Sequence, residues 1–253
     1  MSSRLGPFTG SKRDEKLRRS RPYVKPRRRP WAIFAIRRTI VAMRCRLCGA
    51  EAAEFVSGGA GYGECPVCGY IGLEPSRLPS PEEEEARYRL HRNSRSDSGY
   101  VSWILEFVEA VEPYLRPGAE LLDFGSGPEP VPAALLRERG YSVLAYDPFF
   151  APSDGWRSRT WDAVLVHEVA EHLAEPGAAL AELAALLRPG GALCVRTRFP
   201  PADREAFAPW RYRMDSTHVG FFRPETFDWL SARLGLRAAL VEPPDRAVLV
   251  RPA

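Results

Sequence analysis

The sequence predicts an α/β fold with a mostly parallel sheet and an antiparallel hairpin at its C-terminal end, preceded by a small cysteine-rich module. Three observations lead to this prediction. Short apolar segments alternate with helix-forming segments from residue 120 onward, which is typical of strands joined by crossover helices. A glycine-rich loop follows the first of these strands, and two Cys-x-x-Cys pairs precede the whole region.

Length and composition limit the class of protein. The chain has 253 residues, of which 45% are hydrophobic and 27% are charged, and this is enough for a full hydrophobic core. Collagen-like, wholly disordered and disulfide-rich chains have different compositions. No window approaches 18 consecutive apolar residues, so a transmembrane helix is excluded. Because a secretory signal is also missing, we expect a cytoplasmic protein without membrane contact.

The positive charge of the chain is concentrated in residues 1–42. This tail contains 13 Lys or Arg residues and two acidic ones, a net of +11, which leaves −7 for residues 43–253 out of the overall +4. With scattered prolines and little to bury, the tail is expected to be disordered. It is either a phosphate-binding arm or a stretch upstream of the true start at Met43, and the change of composition there favours the second interpretation.

The next region, 43–78, contains two cysteine pairs with the spacing C-x2-C-x16-C-x2-C, namely Cys45, Cys48, Cys65 and Cys68. Two intervening residues let one tight turn direct both sulfurs at one metal, and the glycine after each pair relaxes the turn. Redox pairs or two disulfides are the alternatives. The dense spacing and the missing secretory signal favour a four-thiolate zinc site. Cys194 lies alone in an apolar run and is expected to be an inert core thiol.

Residues 79–117 are expected to form a bridge of two helices. Ser80 and Glu83 have the spacing of a capping box at the start of the first helix. This helix should run to about His91, and a second, amphipathic helix should span about Tyr100 to Leu115. The domain from 118 to 253 follows the bridge.

The first part of that domain is the most informative. A strand at Glu120–Phe124 leads into the glycine-rich loop, and a helix at Pro132–Arg139 leads to a strand at Ser142–Tyr146 that ends in Asp147. This order is typical of a Rossmann-like mononucleotide-binding half, in which the acid accepts two ribose hydroxyls. Three prolines near the loop remove N–H donors that a pyrophosphate would need. The unit therefore favours an adenosine ligand without phosphates and points to S-adenosylmethionine.

The alternation of strands and helices continues to the end of the chain. We expect strands at Trp161–His167 and Ala192–Arg198, an Ala- and Leu-rich helix between them that ends near Leu187, a helix at Pro224–Leu234, and an antiparallel strand pair at Leu236–Glu242 and Arg246–Arg251.

These motifs resemble a known family. The segments LLDFGSGPEP, YDPFF, WDAVLVHEVAEHLAEP and LRPGGALCVRTRF make residues 120–253 similar to class I S-adenosylmethionine-dependent methyltransferases. Together with the cysteine pairs, SPEEEEARYRLHRN, SGYVSWILEFV and MDSTHVGFFRPETFDWL make residues 43–240 similar to a bacterial group of zinc-knuckle methyltransferases. The resemblance implies a seven-strand type of sheet with the cofactor at the carboxyl ends of its strands.

The resemblance also implies roles for individual residues around S-adenosylmethionine. Asp147 would hold the ribose hydroxyls, and Phe149 would face the adenine. His167 and Glu168 would lie beside the sulfonium. The methionine and ribose side would be lined by Asp123, Gly125, Ser126 and Gly127.

Two features depart from the family pattern. Glu129 occupies the position of the third glycine of the loop, which changes how the following helix begins. Residues 149–160 are too few for the usual helix, strand and adenine loop. One strand of the sheet is therefore expected to be lost or vestigial.

The acceptor is expected under the insertion 199–223, which lies between the last parallel strand and the next helix. This insertion could act as a lid that closes over the cofactor and grips a flat or anionic acceptor, or its aromatic residues could merely cap the sheet. The residues in question are Phe207, Trp210, Tyr212, Phe221 and Phe222, with Arg211 and Arg213 between them.

Methyl transfer is an in-line displacement in which the protein supplies alignment and, for an acceptor that must lose a proton, a base. The candidate bases are His167, His172, Asp215 and His218. We prefer His218, with Asp215 as the carboxylate that orients it, because both lie in the predicted lid and histidine titrates near neutrality. His172 is more typical of a surface or internally satisfied histidine.

Three functions remain open. The leading hypothesis is a methyltransferase for a small-molecule acceptor, with the zinc module either structural or covering the acceptor cleft. The alternative is an RNA or protein methyltransferase whose zinc module holds the macromolecule, although the acidic character of residues 43–253 makes phosphate binding less natural. The third is a non-catalytic partner: the intact glycine loop and Asp147 argue against it, whereas the short 149–160 segment favours it.

Overall fold

The computed structural model describes residues 43–90 and 93–253, so the predicted tail and the predicted helix end at His91 lie outside the described residues. Within these ranges the strands are β1 (Ala53–Ser57), β2 (Ala60–Glu64), β3 (Ile71–Leu73), β4 (Glu120–Phe124), β5 (Ser142–Tyr146), β6 (Trp161–His167), β7 (Leu187–Arg196), β8 (Gly220–Phe221), β9 (Arg237–Glu242) and β10 (Arg246–Val250). The α-helices of the same ranges are α1 (Pro81–Tyr88), α2 (Ser98–Val111), α3 (Val131–Glu138), α4 (Pro176–Ala185), α5 (Arg204–Phe207) and α6 (Pro224–Leu234). None of these helices combines the length and the apolar character that crossing a membrane requires.

The large sheet has the predicted α/β arrangement, with strand order β5-β4-β6-β7-β10-β9 within the described residues. Strand β4 pairs in parallel with β5 and β6, and β6 pairs in parallel with β7. Strand β10 runs antiparallel to both β7 and β9, which confirms the expected C-terminal hairpin. Parallel strands require crossover helices, and these cover both faces of the sheet.

Strand β6 lies at the centre of the core and is buried along its whole length. Because successive side chains of a strand point to opposite faces, Ala163 and Leu165 join the apolar cluster that contains α2 and α3. Val164 and Val166 join the cluster that contains α4 and α6. A run of apolar residues without alternation is expected for a strand that is covered on both faces.

Two elements begin at least two residues before their predicted starts. Strand β7 begins at Leu187 rather than Ala192, because the 188–191 segment continues the strand through a register shift opposite Trp161 and Ala163 instead of forming a separate turn. Helix α2 begins at Ser98 rather than Tyr100, because the Asp97 side chain accepts hydrogen bonds from the first N–H groups of the helix. The capping box at the start of α1 forms as expected.

The segment between β5 and β6 confirms the prediction of a missing strand. It contains a short 3-10 helix at Asp154–Ser158 and an isolated bridge between Asp147 and Ala151. Trp156 of this segment is buried, and its ring lies 5.4 Å from that of Phe124 and 5.2 Å from that of Tyr146, measured between centroids. One large side chain thus covers an edge of the sheet that the usual helix and strand would cover.

The cysteine-rich module forms a second, antiparallel sheet with the order β1-β2-β3-β8. A tight hairpin joins β1 and β2, with Ser57 paired to Ala60 across the turn. The fourth strand, β8, comes from the 199–223 insertion and pairs with β3. The module therefore contains a piece of chain that lies about 150 residues beyond its predicted end at residue 78.

The module packs directly against the large domain through Arg46. Its guanidinium donates hydrogen bonds to the carbonyl oxygens of Leu173 (3.2 Å), Ala174 (2.5 Å) and Val219 (2.5 Å). At Gly177, near the start of α4, a Cβ atom would overlap the carbonyl oxygen of Leu47. The close approach of these two backbones requires glycine at this position.

We predict that Gly177→Ala lowers the free energy of unfolding by about 1–3 kcal/mol, the usual cost of overpacking, although alanine is normally the better helix residue. Gly155→Ala is the matched control, because a Cβ there would lie 3.6 Å from its nearest neighbour, the Ser153 Oγ atom. The control should be neutral or slightly stabilising. Urea unfolding of both variants checks this, and equal stabilities would contradict the described contact.

Candidate functional site

A cavity of about 800 Å³ opens at the carboxyl ends of β4, β5 and β6. This is the edge at which open α/β sheets bind their ligands. Side chains from α1, α2 and the 199–223 insertion complete its walls. The cavity brings together all the residues that the sequence predicted for the cofactor and for catalysis: Asp123, Gly125, Ser126, Gly127, Asp147, Phe149, His167, Glu168, Asp215 and His218.

The glycine-rich loop after β4 adopts a conformation that suits glycine. Gly125 and Gly127 have φ angles of +78° and +67°, a region that other residues rarely adopt. A Cβ atom on Gly125 would lie 2.5 Å from the Cγ2 atom of Val169, whereas a Cβ atom on Gly127 would meet no protein atom within 4 Å. Gly127 thus leaves open space on the cavity wall, which is the feature that a closely approaching ligand needs.

Asp147 joins the loop after β4 to the loop after β5 by hydrogen bonds. Its Oδ2 atom accepts a hydrogen bond from the N–H of Gly127 (2.9 Å), and its Oδ1 atom accepts from the N–H groups of Phe149 (2.9 Å) and Phe150 (3.1 Å). The carboxylate is buried but lines the cavity. These three bonds use three of the four acceptor sites of a carboxylate, which leaves one site, on Oδ2, for a ribose hydroxyl.

Asp123 is a buried acid at the end of β4. It is 1% exposed, and its Oδ2 atom has no hydrogen-bond partner among the described residues. Burial raises the pKa of Asp123 to about 7, because removing a carboxylate from water disfavours its charged form. The group is therefore poised to become a full negative charge when a cationic ligand arrives.

Aromatic side chains line a further part of the cavity. The ring of Phe149 lies 5.8 Å from that of Tyr88, and the ring of Tyr88 lies 5.2 Å from that of His172. Because Tyr88 belongs to α1, this wall combines the helical bridge with the shortened segment after β5. The position of Phe149 is consistent with the adenine contact that the sequence predicted.

His167 is placed in an apolar environment. Its ring lies 4.8 Å from that of Trp103 and 5.0 Å from that of Phe107, and its Nε2 atom has no hydrogen-bond partner among the described residues. Burial, aided by the nearby charge of Arg196, lowers the pKa of His167 to about 3. A general base works best with a pKa near the operating pH, so the predicted catalytic role of His167 does not suit this environment.

Glu168 follows β6 in a strained backbone conformation, with a φ angle of +53°. Such strain in a residue other than glycine is typical of functional sites. Its Oε2 atom accepts a hydrogen bond from the Tyr212 hydroxyl (3.1 Å). Burial raises the pKa of Glu168, and the neighbouring Glu171 raises it further. The end of β6 therefore holds two carboxyl groups that oppose each other's ionisation.

The predicted pairing of His218 with Asp215 stays a prediction, and the structure gives both side chains further partners. The Nδ1 atom of His218 donates to the carbonyl oxygen of Tyr212 (2.6 Å). The Asp215 carboxylate is bound by the guanidinium of Arg87 (2.6 Å) and by the hydroxyl of Thr217 (2.8 Å). Both residues line the cavity, and a backbone carbonyl orients the imidazole.

The 199–223 insertion packs against the cysteine module, a contact that neither predicted role, a lid over the cofactor or a cap on a sheet, included. Phe207 and Phe221 are buried in a cluster with Tyr62 and Ile71 of the cysteine module. The guanidinium of Arg213 donates to backbone carbonyls and to the hydroxyl of Tyr62, so it is not directed at an acceptor. The structure agrees better with the second alternative, in which these aromatic residues cover a sheet. The sheet that they cover is the small one, β1-β2-β3-β8.

A family described as a methyltransferase domain matches residues 91–241, more than half of the chain. The chain belongs to this methyltransferase family. Membership confirms the predicted class of enzyme and the Rossmann-like fold.

Solved structures that resemble this methyltransferase have low sequence identity to it. The mitomycin 7-O-methyltransferase is 18% identical, with 69% of this chain and 58% of that chain covered and a TM-score of 0.46. The magnesium protoporphyrin IX methyltransferase of Synechocystis PCC 6803 is 15% identical, with 66% and 94% covered and a TM-score of 0.46. The 1,6-didemethyltoxoflavin-N1-methyltransferase of Burkholderia thailandensis is 16% identical, with 81% and 100% covered and a TM-score of 0.48. A comparison with curated proteins gives no match.

Several residues of this methyltransferase site were not predicted from the sequence. Tyr100 and Trp103 of α2 line the cavity, as does Glu171, which is completely buried. His172, one of the four candidate bases, also lines the cavity, and its Nδ1 donates to the carbonyl oxygen of Thr217 (2.9 Å), which agrees with the expectation of an internally satisfied histidine. The close spacing of acids and histidines in the 167–172 segment was the sequence feature that could have predicted these residues. A 3-10 helix at Ala170–His172 brings them together at one end of the sheet.

The four cysteines of the module meet in one cluster, with Sγ atoms that lie within 4.8 Å of one another. Cys45 and Cys68 have an Sγ–Sγ distance of 3.6 Å, and Cys48 and Cys65 one of 3.4 Å. Disulfides require about 2.05 Å. Tetrahedral zinc with Zn–S bonds of about 2.3 Å separates its sulfurs by about 3.8 Å. The arrangement fits a four-thiolate zinc site and does not fit the alternative of two disulfides.

We predict that Asp123→Asn stabilises the ligand-free methyltransferase more at pH 8 than at pH 5. The folded pKa of about 7 lies above the unfolded value of about 3.9, so the wild-type protein loses stability as the pH rises between these values, by about 1.4 kcal/mol per unit. The asparagine variant lacks this loss. Its gain over wild type should therefore be about 2–3 kcal/mol larger at pH 8 than at pH 5.

Urea unfolding at both pH values measures this difference. Asp154→Asn is the control, because it makes the same change from a carboxylate to an amide at a side chain that is 89% exposed. A pH-independent effect of Asp123→Asn would contradict the assignment of a buried titrating acid.

Proposed function

We propose that this methyltransferase transfers a methyl group from S-adenosylmethionine to a small-molecule acceptor that is bound in the 800 Å³ cavity. The observation that carries the proposal is the cavity itself. Its volume is within the range of about 300–1,000 Å³ that is usual for small-molecule sites. It contains the cofactor-type glycine loop on one side and a separate group of polar side chains on the other.

The glycine-loop side suits S-adenosylmethionine, which supplies an activated methyl group on a sulfonium. Asp123, the loop from Gly125 to Gly127, and Asp147 would hold its methionine and ribose parts, and Phe149 would face its adenine. The unpartnered Oδ2 atom of Asp123 and the open space at Gly127 support this assignment. The buried acid would pair with the positive charge of the cofactor, which favours ionisation of its carboxyl group.

The acceptor would occupy the opposite side, where Tyr212, Asp215 and His218 line the cavity. These residues belong to the 199–223 insertion, whose packing into the small sheet fixes this wall. A rigid wall supports catalysis through alignment of the acceptor, which is the main contribution a protein makes to an in-line displacement. His218 stays a candidate for contact with the acceptor.

The cysteine cluster would hold zinc in a structural role. Four thiolates leave no open position for chemistry. The module shares a sheet with β8 and contacts α4 through its Cys45–Cys48 turn, so its surfaces are used inside the molecule. This use favours a structural module over one that grips RNA or protein.

We predict that Gly127→Ala weakens binding of S-adenosylhomocysteine at least about tenfold, because the added methyl group would occupy the open cavity wall. Gly118→Ala is the matched control. Its φ angle of +70° is close to the +67° of Gly127, and a Cβ atom there would also meet no protein atom within 4 Å. The two variants should lose similar stability to backbone strain. Isothermal titration calorimetry measures the affinities, and equal affinities of both variants would contradict the assigned cofactor side.

The acceptor class is tested by incubating the protein and radiolabelled S-adenosylmethionine with cell extract. We expect label in material that passes a small size cut-off. Label that is retained and then released by nuclease or protease would overturn the small-molecule proposal in favour of an RNA or protein acceptor. Absence of transfer together with absent cofactor binding would favour the non-catalytic alternative.

The zinc site has a separate test. Co²⁺ added to the metal-free protein should give the strong charge-transfer absorption of thiolate ligands, and Cys65→Ser should lose most of it together with thermal stability, since a structural metal contributes to folding. Cys194→Ala removes the cysteine outside the cluster and should keep the absorption. An unchanged spectrum of Cys65→Ser would exclude the four-cysteine site.

A further inference from the structure

A second group of metal-ligand side chains lies inside the cavity, apart from the cysteines. It consists of Glu171, His172 and His218, and we refer to it as the His–Glu cluster. One carboxylate oxygen and one nitrogen from each ring lie within 4.8 Å of one another. The two imidazole rings have centroids 4.6 Å apart and are nearly perpendicular.

The backbone sets the tautomer of both histidines. Nδ1 of His172 lies 2.9 Å from the carbonyl oxygen of Thr217, and Nδ1 of His218 lies 2.6 Å from that of Tyr212. A carbonyl oxygen only accepts hydrogen bonds, so each Nδ1 atom must carry the proton. In the neutral ring the lone pair then lies on Nε2. Histidines that bind metals usually have this arrangement, in which the outer nitrogen donates to a carbonyl or carboxylate.

Glu171 provides the negative charge. The residue is fully buried. The hydroxyls of Tyr212 and Thr197 lie close enough to favour its charged form, but neither carboxylate oxygen makes a well-formed hydrogen bond to the described residues. Its Oε1 atom lies 3.8 Å from Nε2 of His172. A buried carboxylate with incomplete hydrogen bonding is costly to ionise, and a nearby cation offsets that cost. A divalent ion between the carboxylate and the two imidazoles would provide that compensation.

The site is anchored from two directions. The N–H of Val219 donates to the carbonyl oxygen of Glu171 (2.8 Å), which fastens the chain next to His218 to the 3-10 helix that carries Glu171 and His172. All three cluster residues also line the large cavity. Three protein ligands on one side and open space on the other are the usual composition of a metal site that binds a further ligand.

We propose that the His–Glu cluster binds a divalent transition-metal ion through Glu171, His172 and His218, with open coordination positions toward the acceptor. Two nitrogens and one carboxylate oxygen suit zinc, iron, cobalt, nickel or manganese better than magnesium or calcium. The consequence for the acceptor rests on the proposed function: an acceptor that carries a hydroxyl group would bind the ion, which lowers the pKa of that hydroxyl and releases its proton to solvent. His218 would then act as a ligand rather than as a base.

The test is a titration of Co²⁺ into protein whose cysteine cluster has first been loaded with one equivalent of zinc. We expect one further equivalent to bind, with the visible absorption of cobalt in nitrogen and oxygen coordination and without thiolate charge transfer. Glu171→Gln and His218→Asn should each weaken this binding by at least about tenfold. His167→Asn is the matched control, because this buried histidine lines the same cavity but lies outside the cluster, and its Co²⁺ affinity should equal that of the wild type.

Thermal unfolding of each variant shows whether it is folded. If His218→Asn does not fold, the nearly isosteric Glu171→Gln decides. The proposal is overturned if the zinc-loaded wild type binds no further Co²⁺, or if both cluster variants bind it as tightly as the wild type. S-adenosylhomocysteine binding is measured in parallel: its absence would refute the proposed function while the cobalt titration still judges the metal site.

Discussion

The backbone of one residue, Val219, joins the large domain to the cysteine module. Its N–H donates to the carbonyl oxygen of Glu171 (2.8 Å), and its own carbonyl accepts from the N–H of Leu73 (2.9 Å) and from the guanidinium of Arg46 (2.5 Å). One bond reaches the catalytic domain and two reach the cysteine module. Because buried backbone groups must be paired, this set of bonds permits only one position for the chain at His218. The acceptor wall of the cavity depends on that position.

The acidic side chains at the end of β6 determine which ligands this part of the cavity favours. Glu171 is fully buried and Glu168 is partly buried. Removal from water raises the pKa of both carboxyl groups, and the charge of Glu171 raises the pKa of Glu168 further. The nearby Arg196 is used elsewhere, since its guanidinium pairs with Asp245 (3.1 Å) and lies 4.2 Å from the centre of the Trp103 ring. The floor of the cavity, at the end of β6, therefore holds acidic side chains, and no Lys or Arg lines the cavity among the described residues. Such a floor is suited to cationic occupants, and both a sulfonium and a divalent ion meet that requirement.

The cofactor half was predictable because its signals are local. Gly125, Gly127 and Asp147 are fixed by turn geometry and by a short strand–loop–helix–strand sequence, and the structure brings them into one wall. The cysteine turns were also predictable from local signals, since the N–H of Gly49 donates a hydrogen bond to the carbonyl oxygen of Cys45, four residues earlier. Periodicity and turn chemistry act over such distances.

The acceptor half could not be predicted in the same way. The bond between Arg46 and Val219 joins residues that are 173 positions apart, and no periodicity reports on a contact of that kind. Strand β8 has only two residues, too few for a strand pattern, and it forms because β3 offers an unpaired edge. The ion pair between Arg87 and Asp215 was missed for a related reason. The spacing of Asp215 and His218 suggested a local pair, whereas Arg87, which binds the carboxylate, comes from a distant helix.

The two walls of the cavity are consequently held in place by different parts of the chain. The cofactor wall is made by the loops after β4 and β5, whose hydrogen bonds through Asp147 are internal to the large sheet. The acceptor wall is held by the cysteine module through β3 and Arg46. A structural metal in that module would therefore stabilise the part of the site that meets the acceptor, while the cofactor wall would form without it. Under the proposed function, specificity and cofactor binding would then be separable properties of this chain, because different sheets hold the two walls.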